Sequence, residues 1–384
     1  MASVVDTAPL VLDVGAVLLV AATSGLVARK VGLPAIVGYL LTGLLVSPFT
    51  PGFVADSKQI AILADIGVVL LLFEVGIEID LRRIRKEHGA ILWASPLLVF
   101  LGTLVATPIF MALGLPLYGA ALIALSVAMS SSVVIVNITR SRRRTTSVAT
   151  EDALLGWSVL QDVTGVALAA FIIAILGDSG ENPAQSVLGL IGFGIAAFIA
   201  SKLLPYLLRI IRWESDLFLI YSVAIGLFIA ALGTVVFGIP MALASFVAGL
   251  AINQNRDTDQ VRKAVLPFRD LFQVLFFVVI GSLVQPALIK EALPFAGAIL
   301  GTMALIKTFP AFFLSRIKRI GDSAAQVAVG LSQVGEFSFV LGSAALAAGA
   351  ITKVQFTGVL LAVIISIIFS TLAVRRASRL SRSI

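Results

Sequence analysis

Apolar runs, each of about the length a helix needs to cross a bilayer, follow one another along this chain with only short polar or Pro/Gly breaks between them. Thirteen can be read, at about 9–28, 33–48, 59–78, 89–113, 116–138, 151–177, 186–210, 216–236, 239–253, 265–284, 292–315, 323–348 and 354–374. Such a chain has few folds open to it. Hydrocarbon offers no water to a peptide group, so each run must pair its own N–H and C=O groups, which a helix does. Composition agrees: of 384 residues 59% are hydrophobic and 13% charged, against about 25% charged in soluble domains. Disorder is excluded by the same excess of apolar surface. The sequence predicts an all-α polytopic membrane protein with thirteen transmembrane helices and loops too short for a folded domain.

Basic residues then set the orientation. Nearly all of the 28 Lys and Arg fall in alternate gaps or in the C-terminal tail, as Arg29-Lys30, Arg82 to Lys86, Arg140 to Arg144, Lys202 to Arg212, Arg256 to Arg269, Arg316 to Arg319 and Arg375 to Arg382. The exceptions are Lys58, Lys290 and Lys353 in the other gaps and Lys307 inside a helix. This predicts a multi-pass cell-membrane protein with its N-terminus outside and its C-terminus in the cytoplasm. The net charge of +7 then marks topology and contact with anionic membrane lipid rather than a nucleic-acid partner. Met1–Ala8 holds an Asp and no Lys or Arg, so no removable signal peptide is read. With no cysteine and one histidine, His88, disulfides and thiolate sites are excluded, and no cofactor is implied.

The second half of the chain echoes the first. Gly32-Leu33-Pro34 returns as Gly238-Ile239-Pro240 and Gly43-Leu44 as Gly249-Leu250; Asp65 and Gly76 return as Asp270 and Gly281. With one helix between them, two six-helix repeats have opposite orientation, a signature of secondary transporters whose substrate site lies where the repeats meet. Matching polar stretches interrupt two runs: Ser130-Ser131-Ser132 and Ser332-Gln333-Val334-Gly335-Glu336. Irregular backbone at such depth is tolerated only when buried in protein or lining a wet cavity. Unwinding there would bring half-helix ends together at mid-bilayer, and their partial charges call for compensation.

Three ionisable residues lie at that depth: Asp162, preceded by Gln161, with Lys307 and Glu336. Each costs about 2.5–3.5 kcal/mol at a helix centre, which makes it a functional candidate. A carboxylate holds a proton or a partly dehydrated alkali cation, but not both, and this is what exchange at one site requires. Burial and a neighbouring ammonium act on a carboxylate in opposite directions, so its proton affinity can be set near working pH. On this reading Asp162 holds the monovalent cation or the proton, with Gln161, Lys307 and Glu336 in the same site. Gln161, the serine hydroxyls and freed carbonyls supply neutral oxygens of the kind hard cations accept. Ser130, Ser131, Ser132, Ser332, Gln333 and Gly335 line the interruptions. Glu74, Glu78 and Asp80 are read as solvated partners of Arg82 and Arg83, Asp65 and Asp270 as a shared structural pair.

These residues resemble the monovalent cation:proton antiporter-2 family, in particular its Kef-type branch within the sodium/hydrogen exchanger superfamily. The resemblance spans all thirteen helices. It is carried by Gly32-Leu33-Pro34-Ala35-Ile36-Val37-Gly38-Tyr39-Leu40-Leu41, by Leu63-Ala64-Asp65-Ile66-Gly67-Val68 through Phe73-Glu74-Val75-Gly76, by Gln161-Asp162, by Leu275-Phe276-Phe277 with Gly281, and by Gln333-Val334-Gly335-Glu336-Phe337. It implies crossed discontinuous helices, a scaffold or dimerisation part over about 9–78 and 216–284, a mobile core over about 89–177 and 292–374, and a linker helix at about 186–210. It further implies a homodimer and elevator-like motion. Relatives with two adjacent aspartates are electrogenic; Gln161-Asp162 implies one-for-one, electroneutral exchange of K⁺ or Na⁺ for H⁺. Kef-type chains usually continue into a cytoplasmic regulatory domain, whereas this sequence stops soon after the last run; the resemblance then implies a transport-only member, a separate regulatory subunit, or a chain from which that domain has been removed. The competing expectation is a gated K⁺ efflux channel of the same architecture. Enzymatic activity is not expected, since no Ser/His pair, HExxH motif or second catalytic aspartate is present.

Overall fold

The computed structural model of the chain describes residues 8–47, 49, 57–78, 89–140, 145–177, 183–211, 214–239, 241–252 and 258–380. These form α1 (Ala8–Val31), α2 (Ala35–Leu45), α3 (Ser57–Glu78), α4 (Ile91–Ala112), α5 (Leu117–Ala128), α6 (Ser132–Arg140), α7 (Val148–Leu176), α8 (Pro183–Ile211), α9 (Ser215–Phe237), α10 (Met241–Ile252) and α11 (Thr258–Ser282). A 3₁₀ turn (Pro286–Leu288), α12 (Ile289–Met303), a π-helical turn (Ala304–Thr308), α13 (Phe309–Lys318), α14 (Ala324–Leu331), α15 (Phe337–Ala347) and α16 (Lys353–Leu380) follow. Seven helices among the described residues are long and apolar enough to cross a membrane, and five further apolar segments are shorter. The chain is an all-helical, multi-pass membrane protein.

Helix ends follow local chemistry more than hydropathy. α11 starts at Thr258, well before the apolar run at 265, because Val261 and Val265 are fully buried although Arg262 and Lys263 share that segment. α16 likewise continues past the apolar limit at 374 to Leu380. α1 and α9 stop at Gly32 and Gly238, both at positive φ (91° and 67°), a conformation that glycine adopts without strain. These two glycines are the repeat pair read from the sequence.

The chain divides into two compact units. One contains α1–α3, α8 from Leu188 onward, and α9–α11, so the helix expected as a linker clusters with it. Here α3 packs most extensively against α11 and α10. Leu70, Phe73 and Ile77 of α3 bury against Phe218 of α9, Ala248 and Ile252 of α10, and Val261 and Val265 of α11. Two crossings bring backbone onto backbone. A Cβ at Gly43 would overlap Val278 O and press on Gly281, and one at Gly249 would overlap Phe73 O and press on Gly76. Only glycine permits that approach. In sequence terms, the α2 glycine of one repeat meets the α11 glycine of the other, and the α10 glycine meets that of α3.

This unit also corrects one expectation. Glu74 is not a solvated partner of Arg82 or Arg83. It is 1% exposed and bonds Arg262 Nε and Arg269 Nη1, each at 2.7 Å, because it shares the face of α3 that meets α11. Asp270 is exposed and pairs with Arg269 at 2.5 Å. Asp80, Arg82, Arg83 and His88 lie outside the described residues.

The other unit contains α4–α7 and α12–α16. Two of its apolar runs are interrupted. The run at 116–138 breaks into α5 and α6, with Met129 extended at φ −94°, ψ 149°. The run at 323–348 breaks into α14 and α15 across residues 332–336. A core of Ile91, Ala94, Ile135, Ala153, Leu154, Trp157, Ala311, Ile320, Val327 and Leu331 packs around α7.

Candidate functional site

The two interruptions lie against each other, and several of the backbone groups they free have partners. Gln161 of α7 places its amide across the first: Ser130 N donates to its Oε1 at 3.1 Å, and its Nε2 donates to Ala128 O at 3.3 Å. Gln333 reaches over from the second. Ser131 N donates to Gln333 Oε1, and Gln333 Nε2 returns a bond to Ser131 O, both at 3.0 Å. Ser130 Oγ donates to Leu331 O at 2.7 Å. In the second interruption Val334 N donates to Ser366 Oγ of α16 at 3.0 Å. Ser332 Oγ donates to Ala328 O and also bonds the Thr308 hydroxyl, each at 2.7 Å. A Cβ on Gly335 would come within 3.0 Å of Ser130 C, so glycine permits this close approach.

Lys307 joins the two halves. Its Nζ donates to Met129 O and to Gln333 O, both at 2.7 Å, and the residue is 2% exposed. The ammonium therefore sits on the carbonyl ends that follow α5 and α14, where the helix dipoles are negative. It stands in the π-helical turn Ala304–Thr308, an irregularity that re-aims a side chain and recurs at functional sites. At the opposite ends, Glu336 directly precedes α15. Its carboxyl is buried, the Ser131 and Ser132 side chains at the head of α6 act on it, and among the described residues neither oxygen completes a hydrogen bond. Positive charge thus meets the C-terminal ends and negative charge the N-terminal ends, the compensation the dipoles demand.

Asp162 is fully buried and follows Gln161, whose amide spans the first interruption. All the residues singled out from the sequence, Gln161, Asp162, Lys307, Glu336, Ser130, Ser131, Ser132, Ser332, Gln333 and Gly335, fall in this one unit. Their detailed chemistry differs from expectation. The Gln161 oxygen, foreseen as a cation ligand, accepts from Ser130 N. The hydroxyls of Ser130 and Ser332 are spent on carbonyls, and that of Ser131 accepts from Val134 N at 3.1 Å. These neutral groups hold the backbone of the breaks. Sequence reading missed Ser366, Thr308 and Ser370, the last donating to Val329 O at 2.7 Å. A signal for Ser366 existed: it follows Gln161 by the repeat offset of 205.

A membrane-embedded unit with paired helix breaks, an ammonium across them and buried carboxylates beside them defines the class of ion-translocating membrane proteins. The family described as the transmembrane sodium/hydrogen exchanger matches residues 16–378, and the chain belongs to that family. A relative from Escherichia coli (strain K12), named as a cation/proton antiporter, YbaL, is 31% identical over 383 residues, covering 94% of this chain and 67% of its own length. The fold is similar to that of the sodium proton antiporter MjNhaP1 from Methanocaldococcus jannaschii. The TM-score is 0.68 at 17% identity over 97% of this chain and 99% of that one. A second structure of the same antiporter, from electron microscopy, gives 0.62 at 17% identity, over 96% of this chain and 94% of that one.

Proposed function

We propose that this protein exchanges a monovalent cation, K⁺ or Na⁺, for protons across the membrane by alternating access, with Asp162 binding one or the other in turn. One observation carries the reading. The polar groups of the two breaks (the Gln161 amide, the Ser130 and Ser332 hydroxyls and Met129 O) are already engaged, and Asp162, next to Gln161, is fully buried, so an incoming ion meets a carboxylate beside a framework complete without it. Such preorganisation lets cation and proton compete on equal geometry. Lys307 stands in for the cation when the site is empty, and Glu336 supplies a second carboxyl at the level of the two α-helical N-termini.

Electroneutral, one-for-one exchange is supported by the asymmetry of the repeats. Gln161 has Ser366 as its counterpart, each accepting a backbone N–H from an interruption, but Asp162 has only Ile367. One carboxylate then serves both repeats. The inverted relation of the two six-helix repeats and the thirteen-span count are supported by the paired glycine crossings and the paired left-handed glycines. The unit holding α4–α7 and α12–α16 contains every site residue, which supports its reading as the mobile core. The α1–α3 and α9–α11 unit is the scaffold, assembled as a homodimer, with the N-terminus outside and the C-terminus cytoplasmic. Dye-reported proton flux in proteoliposomes, titrated separately with Na⁺, K⁺ and Li⁺ with voltage held at zero by ionophore, tests the reading. Cation-dependent, non-conductive flux is expected; single-channel current would replace exchange with a channel.

A further inference from the structure

Among the hydrogen bonds of the site, those of Gln333 differ in kind. Its amide pairs with both backbone polar groups of one residue, taking the Ser131 N–H and returning a bond to Ser131 O, each at 3.0 Å. The pairing resembles that between neighbouring strands, made by a side chain. Gln333 contributes in a second way, since its own carbonyl is one of the two oxygens that hold the Lys307 ammonium. The other oxygen, Met129 O, lies two residues before Ser131 on the partner break. Gln333 is completely buried, and its amide is committed at both ends.

We propose that Gln333 is a positioning residue: its two-bond clamp on Ser131 fixes the spacing between Met129 O and Gln333 O, and through that spacing the place of the Lys307 ammonium in the ion site. This deepens the exchange reading and rests on it. Ion binding then depends on a residue that touches neither ion. Ser130 Oγ to Leu331 O ties the breaks at a further point but bears on neither of the lysine-binding carbonyls. Ser366 secures Val334 N from outside the pair, so it steadies the second break without setting the distance between the two.

The amide also has a chemical mimic. A protonated carboxyl offers one O–H donor and one C=O acceptor, as the clamp requires, whereas a carboxylate offers acceptors only. Gln333→Glu therefore restores the clamp only when the introduced group is protonated, and Gln333→Leu never does. The charged residues carried by the segments of the site are Lys307 of the π-helical turn, which bonds the Gln333 carbonyl, Glu336 of the second break and Asp162, which follows Gln161 on α7. The sequences of α5 and of the Ser366 stretch of α16 add none. All three remain in the leucine variant, so the difference between the two pH profiles isolates the new carboxyl.

The test uses the full chain, reconstituted in proteoliposomes for flux and in nanodiscs for hydrogen–deuterium exchange. In Gln333→Leu the apparent KM for the cation should move by about tenfold or more, the scale of a site displaced by a fraction of an ångström. Amides of residues 129–136 should exchange on the order of tenfold faster as the break loosens. Gln333→Glu should approach wild type in both readouts as pH falls and diverge as it rises. Wild-type KM and protection in the leucine variant, or a glutamate profile that parallels the leucine one, would overturn the proposal. Asp162→Asn, measured alongside, separates the two claims. If wild type and Asp162→Asn are equally inactive, the exchange reading falls and deuterium exchange alone decides the clamp; unchanged exchange at 129–136 then removes it as well.

Discussion

Replacing Lys307 by methionine keeps the volume of the chain and removes its charge. The ammonium bonds Met129 O and Gln333 O at 2.7 Å each, and hydrogen bonds to a charged group contribute about 1.5–3 kcal/mol apiece, or about 3–6 together. Against this stands the cost of an ionised amine at a helix centre in the membrane, about 2.5–3.5 kcal/mol. The net loss of stability is therefore about 0–3 kcal/mol: the variant folds, inserts and unfolds at a somewhat lower temperature. Function should respond more than stability. The Gln161 amide lies on Ala128 O and the ammonium on Met129 O, adjacent residues of one break. Without the ammonium the break loses its positive charge, and the exchange profile should no longer superimpose on that of wild type. The assay is proton flux in proteoliposomes between pH 5 and 9, beside thermal unfolding of the purified variant. A profile that superimposes on wild type would refute the placement of Lys307 in the ion site, whatever the stability shows.

Other consequences can be checked separately. Glu74→Gln removes a buried carboxylate shared by two arginines. Breaking a fully buried pair costs about 3–5 kcal/mol, but Arg269 and Arg262 retain 18% and 34% exposure, so a drop below that range is expected in thermal unfolding, and an unchanged midpoint would make the cluster incidental. Gly249→Ala drives a Cβ into Phe73 O and should cost about 1–3 kcal/mol or more. Gly297→Ala, with nothing within 4 Å of its Cβ, should be neutral or stabilise by up to about 1 kcal/mol; equal effects would contradict the crossing. Competition at one carboxylate requires that the apparent KM for the cation rise as pH falls while the rate at saturating cation is preserved. A saturating rate that falls in step would place the proton elsewhere.

Much of this architecture was legible because a bilayer leaves a sequence little freedom. Run length and backbone pairing located the helices, and most limits moved by only a few residues. Two did not, α11 and α16: the start of α11 carries Arg262 and Lys263 while Val261 and Val265 pack inward, and the end of α16 carries Arg375, Arg376 and Arg379, charges that averaged hydropathy counts against a helix. The interruptions were visible as polar, glycine-bearing stretches, because such residues at that depth have few other uses. What they bond to was not visible. Gln161 was read as an ion ligand from residue type, and that its oxygen also accepts the freed N–H of Ser130 could not be read from residue type. Lys307 was foreseen as a charge partner, and the π-helical turn that aims it between two carbonyls has no signature in the sequence. Glu74 was misplaced for a related reason: Arg262 and Arg269, which it bonds, lie far from it in the chain. Ser366 was within reach, had the repeat offset been carried from glycines and aspartates to every polar residue.

The central claim is that a single buried carboxyl, Asp162, hosts cation and proton in turn. Measuring cation-driven proton flux for wild type and Asp162→Asn in the same proteoliposome preparation, with insertion verified by protein content and thermal unfolding, addresses it directly. Wild type should alkalinise or acidify the lumen according to the imposed cation gradient, and Asp162→Asn should fold normally and do neither. Flux retained in the folded asparagine variant would contradict the account.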